Sequence, residues 1–77
     1  MANPNKMLMT ADELLGRAFL EALKNGTSQE IEESFYEYRS YVRNIKAFDY
    51  YLPYNYHLEL FINEKWEEYN ERKSHKG

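Results

Sequence analysis

Tyr36, Arg39, Arg43, Lys46 and Tyr50 recur at steps of three and four along a run that no glycine or proline interrupts. On a helix this spacing gathers them within an arc of roughly 80°. Cations flanked by rings can grip phosphates or stack on bases and nucleotides. A simpler account competes with that one. Glu30, Glu32, Glu33 and Glu37 crowd the first half of the same run and the cations the second half, as the helix dipole prefers. The stripe is the place where an anionic ligand would bind.

The second concentration of chemistry is FDYYLPYNYHLELF, residues 48–61, with six aromatic rings around one proline. Phe48, Tyr51, Tyr54 and Phe61 can wrap a turn between two helices, each burying apolar area with any hydroxyl left in water. Tyr36, Tyr50, Tyr51 and Tyr56 fall off the apolar stripes of their helices. Tyr, Trp and Arg are the residues enriched at binding hot spots. The expected partner-binding set is therefore Tyr36, Arg39, Arg43, Lys46, Tyr50, Tyr51, Tyr54, Tyr56 and Trp66, with Arg39 and Arg43 orienting an acidic partner.

Catalytic groups are sparse. His57 and His75 are the two histidines. His57-Leu58-Glu59 has the His-x-Glu spacing with which zinc deaminases hold a metal and move a proton, but that chemistry needs a downstream pair of cysteines and the chain has none. A helical chain of 77 residues can hardly enclose a ligand cavity by itself. The expectation is a non-enzyme with no cofactor and no metal.

The elements that carry these residues follow from periodicity. Thr10-Ala11-Asp12-Glu13 is a capping box, and Ala11, Leu15, Ala18, Phe19, Ala22 and Leu23 share one arc of a first helix over about 10–25. Asn25-Gly26 ends it, with glycine supplying the left-handed conformation of a C-cap. Thr27 and Glu30 repeat the capping-box spacing. Ile31, Phe35, Tyr38, Val42, Ile45 and Leu52 then line a long second helix over about 28–52, stopped by Pro53. Residues 54–62 alternate as a strand would, but Leu58, Phe61, Ile62, Trp66 and Tyr69 also fit a helical arc, and only the helical pattern continues through the charged tail. A third helix over about 55–73 is expected.

The run LKNGTSQEIEESFYEYRSYVRNI resembles the helix-turn-helix segment of bacterial transcription regulators, with Phe35 at the apolar position and Val42-Arg43 where a recognition helix presents a buried valine and a DNA-contacting cation. The resemblance covers about a quarter of the chain and implies DNA binding. Glu32 and Glu37 stand where the pattern buries small or aliphatic residues, and no turn residue breaks the run. An unpaired buried carboxylate is costly, so one unbroken helix is the preferred reading.

Length and composition bound the rest. The chain is one domain with a thin core, 43% hydrophobic and 30% charged, with eight tyrosines, four phenylalanines and one tryptophan. Its formal charge of −3 argues against a general nucleic-acid binder. No signal peptide or membrane span is visible, so a cytoplasmic protein is expected. The reading is an all-α three-helix bundle built on a helical hairpin, oligomeric, with a flexible arm over 1–9, one helical domain over 10–73 and a disordered tail over 74–77. Its expected function is a non-catalytic protein-binding module, an inhibitor or regulatory subunit of the kind phages and mobile elements encode. The partner is another protein or a second copy, a dimer being favoured. The alternatives are nucleic-acid or nucleotide binding through the basic stripe, and structural assembly.

Overall fold

The computed structural model describes residues 10–48 and 54–75. They form three α-helices and, among the described residues, no strand: α1 is Ala11–Asn25, α2 Ser28–Phe48 and α3 Tyr56–His75. The expected arm over 1–9, the last turn of the second helix over 49–52 and the end of the chain at 76–77 lie outside the described residues, and Tyr50, Tyr51 and Leu52 lie there with them. The third helix runs through His75, two residues past its expected end and into the segment expected to be a disordered tail.

Each helix start is set by its neighbouring side chains. The Glu13 N–H donates to Thr10 Oγ1 at 3.4 Å. The reciprocal contact there is between side chains, from the Thr10 hydroxyl to Glu13 Oε1. At α2 the box is complete: the Glu30 N–H donates to Thr27 Oγ1 at 3.2 Å and the Thr27 N–H to Glu30 Oε1 at 2.8 Å. Asn55 caps α3, its Oδ1 accepting the Leu58 N–H at 3.0 Å.

The end of α1 corrects the sequence reading. Gly26 has φ −94° and ψ 172°, an extended conformation open to any residue, and donates its N–H to the Ala22 carbonyl. What excludes a side chain is space: a Cβ there would lie 2.9 Å from the Ala22 carbonyl oxygen and 3.0 Å from its Cα.

The core is largely aromatic. Phe19, Ile31, Phe35, Tyr38, Val42, Ile45 and Ile62 are buried. The α2 stripe therefore faces inward as its spacing predicts. On α1 the inward face is rotated from the expected arc: Ala11 and Ala18 are exposed, and Asp12 and Gly16 are buried beside Phe19. Gly16 sits where α1 meets α3, since a Cβ there would touch Leu58 Cδ2 at 3.2 Å. On α3, Phe61 lies on the exposed side, not in the core arc, and Lys65 sits over its ring. The Phe35 and Trp66 rings stack at 4.1 Å with a 4° interplanar angle, Tyr69 stacks on Trp66 at 5.6 Å, and Phe19 packs tilted against both Phe35 and Trp66. Fully burying a side chain such as Phe or Ile stabilises by about 1.5–3 kcal/mol.

Two ion pairs fix how α3 lies on α2. Lys46 meets Glu59 at 3.3 Å, and Glu32 meets Lys73 at 2.7 Å. The paired positions are fourteen residues apart on each helix, about 21 Å, so α2 and α3 run antiparallel in a defined register. α1 lies alongside α3 in the same direction, with Asp12 bonded to Asn55 at the shared end. α2 is unbroken where a helix-turn-helix would bend. Glu37 is exposed on it and Glu32 is neutralised by Lys73, so neither carboxylate is buried alone.

Candidate binding groove between α2 and α3

Three residues of the basic stripe come together in one place. Arg39, Arg43 and Lys46 form the α2 wall of a groove of about 420 Å³ whose α3 wall is Glu59 and Asn63. Tyr38 and Val42 lie between them. The stripe sits there because it neighbours the buried Tyr38-Val42 face of the same helix.

The end of the groove near Lys46 is internally satisfied. Glu59 accepts from Lys46 Nζ and, at 2.7 Å, from the Tyr54 hydroxyl. The hydrogen bond and charge of Glu59 hold the Lys46 ammonium above its ordinary pKa. Its own hydrogen bond to Glu59, together with burial, raises that of Tyr54. Further along the wall the situation differs. Among the described residues neither Arg39 nor Arg43 has a carboxylate partner, and Arg39 lies over the Phe35 ring at 5.9 Å.

Exposed rings and apolar side chains occupy helix positions next to both walls without lining the groove, and Tyr56 lines a separate hollow with Thr10 and Glu13 of the α1 start. Tyr36 is 60% exposed on α2, edge-on to Trp66 at 5.9 Å. Tyr56 and Leu60, 56% and 49% exposed, occupy α3 positions one turn from Glu59 and Asn63. Trp66 and Tyr54 are placed differently: Trp66 is half-buried within the ring stack, and Tyr54 is half-buried against the core with its hydroxyl on Glu59. The interior thus absorbs part of the ring surface that the composition offers.

Below the groove lies a polar cluster that sequence reasoning missed. Asp12 is fully buried and accepts the Asn55 N–H on Oδ2, while its Oδ1 and the Tyr38 hydroxyl are enclosed with no hydrogen-bond partner among the described residues. Burial raises the Tyr38 pKa well above the ordinary phenol range, and the Asp12 and Glu59 charges add to this. Tyr41 is raised by burial and by Asp12. An acidic residue in a first helical turn reads as a dipole partner, so nothing in the sequence marked Asp12 as interior. Glu59 and Asn63 were missed because their role depends on the register of two helices.

His57 and Glu59 do not work together. His57 is exposed against the Tyr56 ring, whereas Glu59 is held by Lys46 and Tyr54. Among the described residues no three His, Cys, Asp or Glu side chains are placed to hold a metal ion, and no helix is long and apolar enough to cross a membrane. Compared with protein-family models, curated proteins and solved structures, the chain finds no match.

Proposed function

We propose that this chain is a non-catalytic module that binds another protein through the α2–α3 face, as a small inhibitor or regulatory subunit. One observation carries the reading. The exposed Tyr36, Tyr56 and Leu60 each lie one helical turn from a residue that lines a groove, Arg39, Glu59 and Asn63 respectively, in which Arg39 and Arg43 have no carboxylate partner among the described residues. Exposed rings beside arginine on rigid helices supply contact area at low entropic cost, the composition typical of hot spots.

The test begins with capture of a complex from extract of the source cells and measurement of its mass. Tyr36→Ala/Tyr56→Ala is then titrated against the captured protein. The expected result is binding at least about fivefold weaker with only a small fall in melting temperature, because both rings are largely exposed and Tyr36 gives up only its edge contacts with Phe35 and Trp66. Wild-type affinity in the double variant would remove the reading. Nucleic-acid binding is the second reading, favoured by the exposed Tyr36 ring one turn from Arg39. An eluate of nucleic acid whose affinity collapses with salt would select it.

A further inference from the structure

We infer that the α2–α3 groove takes the carboxylates of an acidic protein segment on Arg39 and Arg43, by the contact that Glu59 already makes with Lys46 from across the groove. This rests on the protein-binding reading and names the chemistry of the partner.

The groove itself displays what its cationic wall accepts. Of its three cations, Lys46 is met by a carboxylate from the facing helix. The register set by the Lys46–Glu59 and Glu32–Lys73 pairs then brings Asn63, one turn beyond Glu59, opposite the α2 turn that carries Arg43, and the α3 turn of Trp66 and Glu67 opposite that of Arg39. Asn63 is uncharged, and among the described residues no carboxylate, Glu67 included, lies within ion-pair distance of either arginine. The two guanidiniums are one helical turn apart on a rigid wall, and each presents a planar fork that a carboxylate matches with two parallel hydrogen bonds.

Length and field favour a protein segment over a polynucleotide. Arg39 to Lys46 spans about 10 Å along α2, room for two or three carboxylates but not for the row of phosphates a nucleic-acid site neutralises. On the other flank of α2, Glu30, Glu33 and Glu37 face Glu21 of α1 across a second, acidic trough. Together with the chain's net charge of −3, that flank opposes the long-range approach of a polyanionic backbone. A short acidic segment carries far fewer charges than a polynucleotide and so meets less of that repulsion.

The test uses the full chain and fluorescein-labelled hexaglutamate, with hexaglutamine and hexathymidylate as companion probes, read by anisotropy at low and high salt. Hexaglutamate is expected to bind saturably at low salt, more tightly than hexathymidylate, with hexaglutamine silent. Arg39→Glu/Arg43→Glu weakens it by about tenfold or more. Asn63→Glu supplies the groove with a carboxylate of the chain's own, so it is expected to lower hexaglutamate affinity and raise the melting temperature together. Glu59→Gln releases Lys46 and tightens binding severalfold. A purely structural role for these arginines would not produce that opposed pair of effects at Asn63.

No saturable hexaglutamate binding at low salt would overturn the inference. So would wild-type affinity in the double arginine variant, or tighter binding of hexathymidylate than of hexaglutamate. The two readings fail separately. If the captured partner depends on Tyr36 and Tyr56 while hexaglutamate does not bind, the acidic chemistry is wrong and the module reading stands. If hexaglutamate binds and the two rings are dispensable to the captured partner, the groove chemistry is right and the ring surface is not the contact.

Discussion

Asp12 and Asn55, 43 positions apart, are joined by a 2.8 Å hydrogen bond from the Asn55 backbone N–H to the buried Asp12 Oδ2. Asn55 is also the cap of α3, so one residue both starts the third helix and ties it to the first. The second Asp12 oxygen is enclosed with no hydrogen bond from the described residues, which offsets part of what the first contributes. Asp12→Ala is expected to cost about 1–2 kcal/mol in urea unfolding. A variant as stable as the parent would show that the tie contributes nothing net.

Tyr38 makes the opposite case. Its ring is core, but its hydroxyl is enclosed close to the charge of Asp12 with no hydrogen-bond partner among the described residues. Removing an unsatisfied group while keeping the ring relieves a desolvation cost, so Tyr38→Phe is expected to be neutral or to stabilise by up to about 1 kcal/mol. A loss of stability of that size would instead mean that the hydroxyl is satisfied in solution.

Alkaline pH should loosen the fold. Tyr38, Tyr41 and Tyr54 hold their protons above the ordinary 10.0, and Lys46 and Lys73 above 10.5. Where folded pKa values are raised, the native state binds more protons than the unfolded one, and stability falls as pH climbs. These contributions are intact below about pH 10 and drain away above it as each folded-state value is passed. Urea midpoints at pH 8, 10 and 11 should decline in that order, and less steeply in Tyr38→Phe. A flat profile would contradict the assignment.

Gly26 is a steric rather than a conformational requirement. Because its φ of −94° suits alanine, any penalty for Gly26→Ala comes from pressing a methyl group against the Ala22 carbonyl and Cα. The expected loss is about 1 kcal/mol or more by thermal melting, and no gain from the stiffer unfolded chain should survive it. A stabilised variant would show that the junction between α1 and α2 yields easily.

What the sequence disclosed was local, and what it hid was relational. The capping box at Thr27 and the inward stripe of Ile31, Phe35, Tyr38, Val42 and Ile45 are written in spacing, because helix geometry turns spacing directly into direction. On α1 the same logic slipped, since Asp12 and Gly16 carry no apolar signal and face inward through a hydrogen bond and a close approach to Leu58. Residues on α2 could be grouped as a basic stripe, yet Glu59 and Asn63 joined them only when the antiparallel register was in hand. The ring count promised a surplus, and the Phe35–Trp66 stack takes up part of it in a way that no one-helix pattern reveals.

The opposite polarity of the two ion pairs between α2 and α3 gives the bundle a sense of direction. Were α3 to dock reversed, Lys46 would confront Lys73 and Glu32 would confront Glu59, so attraction at both ends would turn to repulsion. The orientation of the third helix is therefore written in its own charges and does not depend wholly on the connecting segment.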